Sequence, residues 1–236
     1  VMCHIEDIRS VFSIISNSLS KNGIFVFEDP YMGEVIKKNS YDQIYDEHVY
    51  LFSLASIQKL AKISKLQLFD AEPQTTHGGS MRYYLCKKNI FPRTNRLNKL
   101  ISSEKKLKLD SLQTYKLFAE RVDQSKADLI NLLKKLKNNG KSICAYGATS
   151  KSTTIFNFCK INRSLIDNYY DNTKIKQNKY SPGMHIPVKS FSKMKKYPDY
   201  FFLSAWNHKN EILHKEKKFN KRKGKWILHV PKVRII

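Results

Sequence analysis

The chain has 236 residues, of which 41% are hydrophobic and 12% aromatic, and it carries a formal net charge of +23. That is enough apolar material for one large or two small cores, and too much for a disordered chain. No run of about 18 apolar residues occurs and the first residues lack a basic n-region, so neither a membrane-spanning helix nor a signal peptide is expected.

In chain order, residues 1–3 read as the tail of a strand with His4 at its end. Apolar residues Ile5, Ile8, Val11, Phe12, Ile15 and Leu19 have helical spacing, and Gly23 stops the helix. Ile24 to Glu28 is a short apolar strand ending at Asp29-Pro30, and a long loop is expected from there to Phe52. Ser53 caps a helix from Leu54 to about Ser64. Leu66 to Asp70 and Met81 to Cys86 read as strands, with Pro73, Gly78 and Gly79 in the loop between them.

Arg93 to Asn139 is polar and helical in pattern, one or two helices ending at Gly140. A new unit opens with strand Ser142–Tyr146, the turn Gly147-Ala148 and a helix from Lys151 to Cys159. Strands follow at 165–170, 200–205 and 226–230, with a basic helix before the last. The alternation predicts an α/β fold with a mostly parallel sheet. The expected division is 1–88, a helical connector 89–140, and a second α/β domain 141–236.

Only eight of the 43 basic residues are arginine. Base-specific nucleic-acid readers lean on arginine, so solvated lysine faces are favoured over a nucleic-acid surface. Cys3, Cys86, Cys144 and Cys159 form no C-x-x-C pair, which argues against a structural zinc site and for a reducing cytoplasm.

Three stretches carry candidate chemistry. Tyr45, Glu47 and His48 place proton-transfer side chains within four residues, unless they are only a polar surface loop. His4 stands at a predicted strand end, where open α/β sheets bind ligands. His77-Gly-Gly-Ser-Met-Arg82 either lets a ligand approach bare backbone, with Arg82 meeting an anion, or is an ordinary hairpin connection. Tyr146 to Thr154 is a strand–turn–helix start that could cradle a phosphate, although it holds one glycine and matches no nucleotide fingerprint.

Taken in order, Val1–Asp7, Phe25–Tyr31, Tyr41–His48, His77–Arg82, Ala145–Lys151, Pro182–Val188 and Ala205-Trp206-Asn207 resemble the S-adenosylmethionine-dependent C-methyltransferases of nucleotide-linked deoxysugars. Ser152 departs from a common glycine.

The resemblance implies the second half of a class I, Rossmann-like methyltransferase sheet (residues 1–88), followed by a second Rossmann-like α/β domain. It implies that His48, Tyr45 and Glu47 line the reaction centre, with His4 nearby. It implies that Tyr146, Gly147, Ala148, Lys151, Trp206 and Asn207, with His77 and Arg82, hold a nucleotide-linked keto-deoxysugar. Most of the S-adenosylmethionine pocket is expected upstream of residue 1, and zinc only in an N-terminal module also upstream, so the fragment alone is expected to be inactive. A monomer with no nucleic-acid or membrane partner is expected. The rival readings are a non-catalytic sugar-nucleotide-binding module and a basic nucleic-acid-binding protein.

Overall fold

The computed structural model describes all 236 residues, and the chain is an α/β protein. It divides into two compact units, Val1–Lys37 with Asp46–Phe118, and Lys38–Tyr45 with Ala119–Ile236. This differs from the expected boundaries. Residues 38–45 join the second unit, and the 89–140 stretch is no separate connector, because its first helix buries Leu97 in the core of the first unit.

In the first unit, Asp7 caps helix α1 (Ile8–Ser18), its carboxylate accepting from the Ser10 N–H at 3.1 Å. Strand β1 (Ile24–Pro30) leads into helix α2 (Met32–Lys38), a stretch expected to be loop. Helix α3 (Leu54–Ile63) begins at a reciprocal Ser53/Ser56 capping box, as the sequence indicated. Strands β2 (Leu66–Gln74) and β3 (Ser80–Lys87) complete a sheet of order β1-β3-β2.

Every pairing in that sheet is antiparallel, against the expected mostly parallel arrangement. The reason lies in the connection. His77, Gly78 and Gly79 all take positive φ (54°, 89° and 139°), which folds β2 straight back onto β3. Pro73, expected in the loop, sits in β2 opposite Met81. Residues 2–4 form a 3₁₀ turn rather than a strand tail, because the Cys3 N–H bonds the Asp29 carboxylate at 3.2 Å. One face of β1 is in the core, where Phe27 stacks on Tyr83 at 4.9 Å and meets Phe12 edge-on at 5.9 Å. The other face shows Ile24 and Val26 to solvent.

Helix α4 spans Asn95–Leu107, and helix α5 spans Leu112–Asn138, its residues after Phe118 belonging to the second unit. There, strand β4 (Ile143–Tyr146) is buried at all four residues, as a strand covered on both faces must be. Helix α6 (Ser150–Phe158) follows, then β5 (Tyr169–Tyr170), β6 (Val188–Lys189), β7 (Tyr200–Leu203), helices α7 (Lys209–Lys215) and α8 (Lys217–Lys221), β8 (Lys225–Leu228) and β9 (Arg234–Ile235).

The sheet order is β6-β5-β4-β7-β8-β9, parallel except at β9. Strand β5 is shorter than expected, since the N–H groups of Leu165 and Ile166 turn back onto the Asn162 carbonyl. Phe201 stacks on Trp226 at 5.4 Å and meets Phe219 at 4.8 Å at the centre of one core cluster. The chain leaves β4 for β5 on one side and later returns to β7 on the other. The carboxyl end of β4 is therefore the switch point of this sheet.

The first unit is braced by a buried carboxylate. Glu104 on α4 is 6% exposed and accepts from the Leu54 N–H (2.7 Å), the Ala55 N–H (2.8 Å) and the Tyr31 hydroxyl (2.8 Å). It thus satisfies donors at the start of α3 and supplies negative charge to that helix end. Glu104→Ala is expected to cost about 3–5 kcal/mol, the range for stripping a buried charged group from its partners. Glu104→Gln should cost less, and Tyr31→Phe about 1 kcal/mol. Urea unfolding of the three variants checks this ranking; a loss below about 1 kcal/mol for Glu104→Ala would show that the brace carries no weight.

Candidate active site

The first unit brings two of the expected residues together. The His4 and His48 rings lie 5.2 Å apart between centroids, tilted by 47°. His4 Nδ1 is 2.7 Å from the backbone carbonyl of Glu47. A carbonyl only accepts, so the hydrogen sits on Nδ1 and, in the neutral ring, Nε2 carries the lone pair. The Glu47 carbonyl orients His4, and the Glu47 side chain is exposed. The stretch after His48 is tied to the turn holding His4. The Tyr50 N–H bonds the Cys3 carbonyl at 3.1 Å, and the Tyr50 hydroxyl bonds the Glu6 carbonyl at 2.8 Å.

Cys3 Sγ lies with ring nitrogens of His4 and His48 in a group of donor atoms within 4.8 Å of one another. Holding a divalent metal would require Cys3 as thiolate. Burial, with the Asp29 carboxylate beside it, pushes the thiol up to about 12. Without a cation the thiol is therefore neutral, and the two imidazoles are the proton-transfer groups of this trio.

Tyr45 ends the segment that belongs to the second unit. Within it, Asn39, Ser40, Tyr41, Asp42 and Gln43 are all buried. Asp42 has no exposed surface, and its Oδ2 accepts from the Trp206 indole N–H at 2.6 Å. His229 Nε2 stands 3.4 Å from the same oxygen. Burial alone would raise the Asp42 carboxyl; His229, the Lys151 charge and the Trp206 bond outweigh it and hold the group below the usual range. Burial pulls Lys151 below the ordinary lysine value, while Asp42 favours its charged form. Its Nζ lies 5.6 Å from the centre of the Trp206 ring.

In the turn after β4, read from sequence as a possible phosphate cradle, several polar groups are paired within the chain. The Ala148 N–H is given to Asp171 Oδ2 at 2.7 Å, and Thr149 and Ser152 cap each other. The Ala148 carbonyl takes Lys176 Nζ at 2.7 Å, and the Tyr146 hydroxyl bonds Glu216 at 2.8 Å. Gly147, at φ 87°, makes the turn possible. These donors serve protein carboxylates and caps, and Lys151 already faces Asp42. Arg82 likewise meets the chain's own acids, Glu28 at 3.0 Å and Glu72 at 3.6 Å. His77 lies in the tight connection before β3, and Asn207 in the 3₁₀ turn that carries Trp206.

The C-methyltransferase C-terminal domain family matches residues 75–231. The chain is 31% identical to C-methyltransferase NovU of Streptomyces niveus over 235 residues, 99% of this chain and 56% of that protein. The chain belongs to the C-methyltransferase family. It spans about half the length of this curated relative.

Reading the sequence assigned no role to Asp42 or His229. Asp42 stood inside the quoted Tyr41–His48 stretch, hidden among more reactive side chains. His229 left a clearer signal, a lone imidazole inside the apolar run Trp226-Ile-Leu-His-Val230. All four cysteines are buried, and burial raises every thiol: Cys3 and Cys144 to about 12, Cys159 to about 11, and Cys86 upward. Since the thiolate is the nucleophile, iodoacetamide at pH 8 should leave all four unmodified in the folded protein and alkylate all four after denaturation. Rapid labelling of Cys3, read by mass spectrometry, would mean an ionised thiol and would reopen the metal reading.

Proposed function

We propose that the full-length protein transfers a methyl group from S-adenosylmethionine to the carbon beside the keto group of a nucleotide-linked deoxysugar. The observation that carries this reading is the close pair of imidazoles, His4 and His48, one of them held in a defined tautomer by the Glu47 carbonyl. Methylating carbon needs a carbanion equivalent, and a proton next to a carbonyl can be removed to give an enolate. When bound, S-adenosylmethionine supplies an electrophilic methyl group. The first unit holds no strand followed by a Gly-rich turn, so no residue of this chain is assigned to that donor.

His48 is the base that takes the proton. The neutral His4 ring has spent its only N–H on the Glu47 carbonyl. By its chemistry and its place three residues before His48 in the chain, the Tyr45 hydroxyl is our candidate for the hydrogen bond to the developing enolate oxygen. The net charge of +23 suits a diphosphate substrate, since a basic surface raises the encounter rate of an anion.

The test is mass spectrometry of the full-length protein incubated with S-adenosylmethionine and a panel of nucleotide-linked keto-deoxysugars. One member should gain a methyl group. His48→Asn should then lose about 10²–10⁴ in rate with sugar-nucleotide binding nearly intact. His4→Asn, whose amide can still donate to the Glu47 carbonyl, isolates the loss of Nε2. Methyl transfer by His48→Asn at the wild-type rate would remove His48 as the base, and no product from any keto-sugar would sink the substrate assignment.

A further inference from the structure

In an open α/β sheet the crevice outside the carboxyl ends of the strands, at the switch point, is where a ligand is gripped. In the second unit the residues around that crevice are Lys151 after β4, Trp206 after β7 and His229 after β8. All three are directed at Asp42, from the segment Lys38–Tyr45. We infer that this crevice grips the chain's own Tyr41–Tyr45 stretch, and that Asp42 is a positioning residue which fixes where Tyr45 is presented within the second unit.

The geometry is specific to one register. Trp206 Nε1 and His229 Nε2 converge on a single oxygen, Oδ2, at 2.6 and 3.4 Å. Two facing lone pairs would repel, so His229 Nε2 carries a hydrogen toward Asp42. The His229 ring is itself fixed, stacked on Phe202 at 5.4 Å and 17°, with the Tyr41 ring edge-on at 6.0 Å. On either side of Asp42, the Asn39 amide donates to the Arg121 carbonyl at 3.2 Å, and the Tyr41 hydroxyl lies 3.9 Å from Cys159 Sγ. Sliding the segment by one residue would leave a fully buried carboxylate without its partners, which is strongly unfavourable. An apolar side chain at position 42 could fill space there without choosing a register. The carboxylate chooses one.

The inference rests on the proposed methyl transfer only for its activity arm. Asp42→Asn keeps an oxygen for the Trp206 N–H and removes the charge. Trp206→Phe removes the donor and keeps an aromatic ring for Lys151, and it serves if Asp42→Asn does not fold. In the full-length protein, both should raise hydrogen exchange of peptides covering residues 39–50 by about tenfold while peptides of β4 and β7 keep their protection. With the keto-sugar that is turned over, kcat of Asp42→Asn should fall about tenfold and its KM should hold within about twofold, as for an interaction that matters after substrate is bound.

Unchanged exchange at 39–50 would overturn the inference whatever the activity. So would a uniform rise across residues 119–236, which would make Asp42 a general stabiliser, or a local rise with kcat unaltered. If the wild type methylates no keto-sugar, the substrate reading fails, and the exchange result alone decides the role of Asp42.

Discussion

A carboxylate with no exposed surface must be met by donors or it cannot stay charged. In the second unit that carboxylate is Asp42, and the crevice around it is built to meet it. Lys151, Trp206 and His229 come from three different strand ends, and no two are neighbours in sequence. Only the parallel sheet, with its carboxyl ends side by side, brings them to one point. A buried ion pair is weak evidence of net stability, because desolvation offsets most of its attraction. It is stronger evidence of a unique placement, since every alternative packing strands a charge.

The first unit repeats the device with Glu104. Its carboxylate gathers the opening N–H groups of α3 and the hydroxyl of Tyr31. In sequence the two buried acids act on either side of the same irregular stretch. Asp42 lies before it, bonded to Trp206, and Glu104 accepts from the Leu54 and Ala55 N–H groups after it. Between them, Tyr50 is tied to Cys3 and Glu6, and the Phe52 carbonyl accepts the Met32 N–H at 2.9 Å. A segment without regular structure is ordinarily the mobile part of a domain. Here the first-unit part of the stretch, with Glu47 and His48, is tied down through Tyr50 to the turn that holds His4.

Much of this fold was legible in the sequence, and the failures have physical causes. The Ser53 cap, the helical spacing from Ile5 and the apolar run of β4 are local signals; the first and last landed within a residue, and the helix begins three residues late, at Ile8. Helix α2 was missed because its seven residues lie between Tyr31 and Asn39 without a full turn of polar contrast. The antiparallel hairpin was read as part of a parallel sheet because alternation of elements does not reveal that His77 adopts φ 54°. His4 and His48 were flagged as a pair of interest, but the carbonyl that orients His4 is a backbone group and leaves no trace in residue identity. Pairing at 146–154 is hidden in the same way. Turn chemistry showed that donors exist there, and only the fold shows that Asp171, 23 residues beyond Ala148, has taken one of them.

The two imidazoles also limit which chemistry the site can support. Rings 5.2 Å apart disfavour a double positive charge. His4 avoids that cost in its neutral form, because its single hydrogen is already committed to the Glu47 carbonyl. A proton arriving on His48 then meets an uncharged neighbour. The Glu47 carbonyl fixes the direction of the His4 ring, and because it is a backbone group, a different side chain at position 47 would leave that hydrogen bond in place.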